Sequence, residues 1–264
     1  MNKLWKCINY TQPIYLLKST TIYEYDIEKA NISVLLDGGY ITKDYYDWLS
    51  KQDRMVRQVI IGKMEKENDS ITKAKQHGIE EAKRQLFQAN AIKDSEVLAI
   101  KNDAVFITRE LYLLQFKHVK FTLRNWYTMF MRVFRSEVYY LYNVNTKEEK
   151  LDVKGINDEV LKLHEDYLIG FLKELFYTYQ VNGLIPAIGL LQDFYKAYMS
   201  RSLDLGFYRD INTGNFLLDT GSSMYQYYSE IPNDKIRKIV DISNNGAFLR
   251  EIAKIFYMDY ASQR

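Results

Sequence analysis

The order of apolar and polar residues divides the chain into segments of different period. The first 25 residues are rich in β-branched and aromatic side chains and predict extended structure, whereas residues 30–89 carry apolar side chains at helical spacing. Short apolar runs return between residues 96 and 153 and predict strands. Helical spacing resumes after residue 157, where the predicted helices include 185–203, 234–240 and 247–260. This alternation predicts an α+β fold with an antiparallel sheet.

A domain boundary is predicted near residue 150, where the strand pattern stops. Residues 1–150 would form an α+β domain with a short helical insertion at about 42–90, and residues 151–264 a mostly α-helical domain. The sign of the net charge changes at the same point. The first part has 24 basic and 19 acidic residues, and the second has 12 basic and 15 acidic residues. The first part is therefore mildly cationic, which permits a phosphate-bearing ligand.

Composition excludes several other classes of protein. The net charge of +2 over 264 residues is far from that of a strongly basic nucleic-acid coat. Cys7 is the only cysteine and there are three histidines, which excludes a disulfide framework, a cysteine zinc site and a histidine metal cluster. No apolar run reaches the roughly 18 residues that span a bilayer, and the first residues lack the pattern of a signal peptide. We therefore expect a cytoplasmic protein without a membrane partner.

Two aspartates occupy positions that suit metal binding. Asp26 ends a predicted strand and directly precedes a helix, and Asp103 lies at the tip of a predicted hairpin formed by residues 96–108. A strand end and a hairpin tip can lie side by side, and two carboxylates there can hold two divalent ions about 4 Å apart. Mg²⁺ suits such a site because it prefers oxygen ligands and leaves room for substrate phosphates. Each aspartate also has a purely structural interpretation, as a helix cap and as a turn residue.

The sequence segments that contain the two aspartates resemble known polymerase motifs. Residues 99–107, Ala-Ile-Lys-Asn-Asp-Ala-Val-Phe-Ile, resemble motif C of the family B DNA polymerases, and Asp103 takes the place of its second, metal-binding aspartate. Residues 23–32 resemble motif A, which family A polymerases share, with Asp26 at its aspartate and Asn31 near the sugar-sensing position. The sequence departs from motif C at Lys101, where the family has its first aspartate, and at Ala104, where it has serine.

Further stretches follow in the order in which these polymerases carry them. A predicted helix between the aspartates resembles the fingers helix that holds the triphosphate of the incoming nucleotide, through Arg54, Arg57 and Lys63. After Asp103, the run Arg-Asn-Trp-Tyr, which contains Arg124 and Tyr127, resembles the motif that touches the primer strand.

A Lys-Gly-hydrophobic motif also has a counterpart. Lys154-Gly155-Ile156 resembles the motif that leads from the palm to the helical thumb, and the chain becomes helical at this point. The resemblance implies a polymerase-palm-like sheet followed by a helical thumb-like domain. It also implies a template-directed nucleotidyltransferase of phage or mobile-element type that uses Mg²⁺ or Mn²⁺ at Asp26 and Asp103.

The implied partners are primer–template nucleic acid, nucleoside triphosphates and other replication or transcription subunits. A second interpretation stays open, because Lys101 and the short insertion also fit a non-catalytic palm-like subunit or accessory protein of a phage complex.

Two further groups of polar residues can be explained without a function. His164 beside Glu165 suggests a surface histidine, and a basic helix face that Glu80 and Glu81 accompany suggests either a phosphate contact or a solvated surface. That face comprises Lys73, Lys75, Lys83 and Arg84.

Overall fold

The computed structural model describes residues 5–11, 16–219, 226–230 and 244–263. Helices and antiparallel strand pairs together confirm the predicted α+β class. The strands are β1 (Leu16–Leu17), β2 (Ile22–Ile27), β3 (Val97–Lys101), β4 (Ala104–Ile107), β5 (Gln115–Phe116), β6 (Val119–Tyr127), β7 (Met129–Val133), β8 (Ser136–Tyr142), β9 (Glu149–Lys154), β10 (Phe216–Leu218) and β11 (Gln226–Tyr228). The helix predicted at 234–240 lies outside the described residues.

Helices account for most of the remaining described residues. The α-helices are α1 (Ile8–Thr11), α2 (Ala30–Asp37), α3 (Lys43–Ser50), α4 (Arg54–Glu67), α5 (Asp69–Ala89), α6 (Asp158–Lys162), α7 (Gly170–Asn182), α8 (Leu184–Met199) and α9 (Asn244–Ser262). Short 3₁₀ turns lie at Asp94–Glu96 and Leu205–Tyr208, and a π turn lies at Glu165–Ile169. The helical spacing of residues 30–89 and the helix predicted at 247–260 therefore correspond to α2 to α5 and to α9.

The chain forms two compact units. The first contains residues 5–11 and 20–126, and the second contains residues 16–19 and the described residues from 127 onwards. This division lies earlier than the predicted boundary near residue 150. The reason is pairing, since β7, β8 and β9 join β1 in a sheet of their own, in the order β1-β7-β8-β9.

A five-stranded sheet forms the centre of the first unit. Its strand order is β3-β4-β2-β6-β5, and β4 pairs antiparallel with both β2 and β3. All four residues of β4 are buried, which is typical of an inner strand. Helix α5 packs closely on α2, because a Cβ on Gly78 would lie only 2.7 Å from Cβ of Val34.

Local signals place the ends of these elements. Thr42 precedes α3 and its hydroxyl accepts a hydrogen bond from the backbone N–H of Tyr45 at 3.3 Å, as expected of an N-cap. The expectation of extended structure throughout the first 25 residues was wrong for α1. There the backbone N–H and the hydroxyl of Thr11 both donate to the carbonyl of Cys7, at 3.1 and 3.0 Å, and close a helical turn.

The second unit buries a continuous apolar core under its sheet. Every residue of β8 is buried, and apolar faces of α7, α8 and α9 belong to the same core. Fully buried members of this core contribute about 1.5–3 kcal/mol each. They include Tyr140, Leu168, Leu175, Phe176, Ile252 and Phe256.

His164 corrects one sequence-based expectation in this unit. It is completely buried rather than at the surface, and its Nε2 lies 3.3 Å from the carbonyl oxygen of Asp210. The turn after Asp210 is closed by its carboxylate, which accepts hydrogen bonds from the N–H groups of Asn212 and Thr213 at 3.0 and 2.9 Å. The surface interpretation failed because it considered only chain neighbours, whereas a turn from distant sequence covers the imidazole.

Candidate functional site

Asp26 and Asp103 line one cavity of about 300 Å³ within the first unit. The β2–β4 pairing places Asp26 opposite Ala104, which directly follows Asp103. The backbone N–H of Ile27 donates to the carbonyl of Asp103 at 3.3 Å. The strand end and the hairpin tip are therefore neighbours, which is the arrangement that their positions in the sequence suggested.

Asp26 has an incompletely satisfied carboxylate. Its Oδ2 accepts a hydrogen bond from Nη1 of Arg124 at 3.1 Å, whereas its buried Oδ1 accepts none from any residue that the structure describes. Burial raises the pKa of Asp26, the charge of Asp103 raises it further, and Arg124 partly opposes both effects. The protein thus keeps two acids close together without fully compensating their charge.

Cationic side chains surround this pair of acids. Among the described residues, Lys29, Arg54, Arg57 and Arg124 line the same cavity. The two arginines of α4 share one helix face, because they are three positions apart. Arg57 is held in place by a hydrogen bond of 2.5 Å from Nη1 to the carbonyl of Gln52. A guanidinium group can donate two parallel hydrogen bonds to the oxygens of one phosphate, so that this side of the cavity suits a chain of phosphates.

The start of helix α2 forms another part of the cavity wall. Ala30 and Asn31, the first two residues of the helix, line the cavity with Lys29, whose backbone is left-handed at φ 51°. The first N–H groups of a helix have no partner within it and attract anions. Lysine has no acceptor atom with which to cap them. The helix start therefore adds to the preference for a negatively charged ligand.

Other residues singled out from the sequence lie elsewhere. Lys63 is an exposed residue of α4 and is not among the residues that line the cavity, because its position in the helix turns it away from the face of Arg57. Tyr127 and Lys154 belong to the second unit. There Tyr127 is completely buried and its hydroxyl donates to Asp152, while Lys154 is paired with Glu137 across β8 and β9.

Two lysines near the hairpin differ from expectation. Lys101, at the position of the missing aspartate, has its Nζ 5.6 Å from the centroid of the Tyr10 ring and is not among the residues that line the cavity. Lys83 is only 6% exposed, so the solvated-face interpretation was wrong for it. A signal was present in the sequence, because Lys83 lies midway between Ile79 and Phe87 at helical spacing, and both belong to the core of the first unit.

The two carboxylates of this cavity are the groups that could hold a divalent ion if further ligands came from water and substrate. Within the described residues no group of three or more His, Cys, Asp or Glu side chains could hold a metal ion. Asp26 and Asp103 are the two carboxylates among the described residues that line the cavity. Mg²⁺ is commonly held by one or two carboxylates together with water and substrate phosphates. The buried, unpaired Oδ1 of Asp26 is an oxygen of the kind that such an ion requires.

The fold and the cavity define an α+β protein of two units with an acidic pair inside a cationic pocket. Comparison with protein families gives a match to the model described as Bacteriophage PBS1 gene 130 protein, over residues 1–258. The chain therefore belongs to this family of phage proteins. No curated protein matches it. In the part of the chain that the structure describes, no helix has the length and apolar character needed to cross a membrane.

Proposed function

We propose that this protein is a template-directed nucleotidyltransferase that binds two divalent ions, Mg²⁺ or Mn²⁺, through Asp26 and Asp103. The observation that carries the proposal is the shared cavity, in which both carboxylates lie beside Arg54, Arg57 and Arg124. Membership of a phage protein family is consistent with a role in phage nucleic-acid synthesis. In this proposal the substrates are nucleoside triphosphates and a primer–template, within the cytoplasm of the host.

The residues of the cavity have distinct roles in this reaction. Asp26 and Asp103 would hold the ions, and bound ions would supply a lowered pKa for the attacking 3′ hydroxyl and charge stabilisation for the leaving pyrophosphate. Arg54 and Arg57 hold the triphosphate by paired hydrogen bonds, and the start of α2 supports the same phosphates. Asn31 would contact the sugar of the nucleotide, a role that its place in the lining of the cavity supports.

The remaining predicted contacts concern the primer–template and the phosphates. Arg124, Tyr127 and Lys154 would contact the nucleic acid, whereas Lys63, which is turned away from the face of Arg57, is left out of the phosphate contacts. Arg124 lies at the cavity, where its side chain is 57% exposed although its guanidinium is paired with Asp26. Tyr127 is buried, so that it would contact the nucleic acid only if the surrounding side chains moved.

A second candidate function is a non-catalytic palm-like subunit of a phage replication or transcription complex. Two observations favour it. Lys101 replaces an acid that the polymerase motif carries, and the guanidinium of Arg124 already occupies one carboxylate oxygen of Asp26. In such a protein the Arg124–Asp26 ion pair would take the place of a bound ion, and the cavity would bind nucleic acid or nucleotide without turnover.

Primer extension distinguishes the two candidates. Wild-type protein is incubated with primed template, nucleoside triphosphates and either Mg²⁺ or Mn²⁺. We expect extension that falls by about 10³-fold or more in Asp26→Asn and Asp103→Asn, because each change removes an ion ligand. Glu28→Gln is the matched control, since Glu28 is an exposed acid two residues from Asp26 that does not line the cavity.

The outcomes separate clearly. Unchanged extension in both aspartate variants would exclude the proposed site. Tight binding of the primer–template by a wild-type protein that extends it with neither ion would favour the non-catalytic subunit. Equal losses in Glu28→Gln and the aspartate variants would show that any change of charge at this strand end disturbs the protein, and the site assignment would then fail.

A further inference from the structure

A buried lysine supports the hairpin that carries Asp103. Lys83 lies in the middle of α5 and is only 6% exposed, among apolar residues of the first unit. Burying an ammonium group is costly unless it is paired or hydrogen-bonded. The position is therefore one that a leucine or methionine would fill at lower cost, which calls for a specific reason for the charge.

The reason lies at the tip of the β3–β4 hairpin. Nζ of Lys83 donates a hydrogen bond of 2.6 Å to the backbone carbonyl of Asn102. Asn102 is the first residue of a two-residue turn and has a positive φ of 36°, in a region of the backbone that most residues avoid. Asp103 is the second residue of that turn. A single ammonium group thus anchors the peptide unit that joins Asn102 to Asp103.

Electrostatic interactions connect the same lysine to the acidic pair. Burial lowers the pKa of Lys83, while the charges of Glu80 and Asp103 act in the opposite direction and favour the ammonium form. Lys83 is therefore within electrostatic range of Asp103 although it does not line the cavity. It contacts the hairpin through the backbone of Asn102 and lies outside the lining of the cavity.

We propose that Lys83 is a positioning residue for Asp103. Its buried ammonium group fixes the carbonyl of Asn102 and thereby sets the orientation in which the turn presents the Asp103 carboxylate beside Asp26. The inference rests on the proposed function, in which these two carboxylates hold the divalent ions. Groups behind a metal ligand commonly change metal affinity or activity by about 10–100-fold when they are removed.

The experiment measures Mn²⁺ binding and turnover separately. The full-length protein is titrated with Mn²⁺, and the free ion is followed by electron paramagnetic resonance at a temperature well below thermal unfolding. Lys83→Met keeps the length of the side chain but removes its charge and its donors. We expect Mn²⁺ affinity and kcat for primer extension to fall about 10–100-fold, while KM for the nucleotide stays within about threefold, because α4 is unchanged.

Two controls define what the loss means. Lys83→Arg retains a cation and donors, and we expect it to keep most of the Mn²⁺ affinity. Lys73→Met makes the same change at an exposed position of the same helix, and we expect wild-type affinity. A merely structural role for Lys83 would lower the melting temperature without lowering Mn²⁺ affinity in the folded protein. If Lys83→Met does not fold, Lys83→Gln takes its place with the same expected result.

The result also separates this inference from the proposed function. Wild-type affinity for Mn²⁺ in Lys83→Met or Lys83→Gln, with weakened binding in Asp26→Asn and Asp103→Asn, would overturn the positioning role and leave the site intact. Wild-type protein that binds no Mn²⁺ would overturn the proposed function itself, and the role of Lys83 with it. Loss of Mn²⁺ affinity in Lys83→Met or Lys83→Gln and in both aspartate variants, but not in Lys83→Arg or Lys73→Met, supports the inference.

Discussion

The carboxylate of Asp26 in the first unit differs in its hydrogen bonding from the carboxylates of the second unit. Among the described residues of the second unit, four carboxylates accept hydrogen bonds from tyrosine hydroxyls, in the pairs Tyr127–Asp152, Tyr139–Glu137, Tyr140–Glu149 and Tyr179–Asp259. In the first unit, Asp26 is partly buried beside a second acid, and the structure gives its Oδ1 no partner among the described residues. Acids of the first kind stabilise a fold. An acid of the second kind is typical of a functional site, where local stability is given up for chemistry.

The strongest contrast with Asp26 is Asp259. Its carboxylate accepts hydrogen bonds from Nζ of Lys18, at 2.5 and 2.7 Å, and from the hydroxyl of Tyr179 at 2.6 Å. Burial alone would raise the pKa of Asp259, but the bonds from Lys18 and Tyr179 outweigh it and lower the pKa. Burial and the bond to Asp259 raise the pKa of Tyr179 to about 12. These three residues connect β1, α7 and α9.

The largest effect on stability is therefore expected from Asp259→Ala. The change leaves Lys18 and the Tyr179 hydroxyl without their shared acceptor, and we expect the free energy of unfolding to fall by about 1.5–3 kcal/mol. Urea unfolding followed by circular dichroism measures it. Asp193→Ala is the matched control, because its ion pair with Lys196 is exposed and such pairs contribute about 0–1 kcal/mol. Equal effects of the two changes would remove the contrast between the units.

Asp26→Asn should act in the opposite direction and by a smaller amount. Because the pKa of Asp26 is raised in the folded protein, its ionised form destabilises the fold as the pH rises above the ordinary aspartate range near about 4. We expect the variant to be about 1 kcal/mol more stable than wild type at pH 7 without divalent ions, although it loses the ion pair with Arg124. Added Mn²⁺ should raise the melting temperature of wild type but not of the variant. A destabilised Asp26→Asn would mean that Asp26 is a structural acid like Asp259.

Much of the fold could be predicted from local sequence, but the division into units could not. Helical spacing over residues 30–89 predicted the helical region that contains α2 to α5, and the hairpin predicted for residues 96–108 is the β3–β4 hairpin. The unit boundary depends on β1 pairing with β7, a contact between residues more than a hundred positions apart. Neither spacing nor composition specifies such a partner.

The candidate site shows the same limit. A strand end and a hairpin tip were sufficient to place Asp26 beside Asp103, because antiparallel pairing of neighbouring strands leaves few alternatives. Lys83 and His164 were misjudged, since the polarity of a side chain says nothing about which distant backbone carbonyl will cover it. In both cases that carbonyl, of Asn102 or of Asp210, lies in a turn distant in the sequence.

The smallest effect on stability at neutral pH is expected from a change of His164. This residue tests the comparison of the two units, because it is a buried group of the second unit that lacks one of its hydrogen bonds within the described part of the chain. Its Nδ1 is buried and has no hydrogen-bond partner among the described residues. Burial lowers the pKa of His164, and the carbonyl of Asp210 opposes this only in part. The folded protein therefore favours neutral imidazole, whereas the unfolded chain binds a proton near pH of about 6.5. The stability that wild type has above this pH must decline as the pH falls through that range.

His164→Gln removes the titrating group while it keeps a side-chain amide that can donate to Asp210. We expect the free energy of unfolding to depend less on pH between 7 and 5 than in wild type, by at most the one-proton slope of about 1.4 kcal/mol per pH unit. His118→Gln, at an exposed position of the first unit, is the control for loss of a histidine. An unchanged slope in His164→Gln would show that protonation of this buried imidazole costs the fold nothing. An unpartnered buried atom would then say little about the role of Asp26, and the Mn²⁺-dependent melting shift would become the deciding test of the acidic pair.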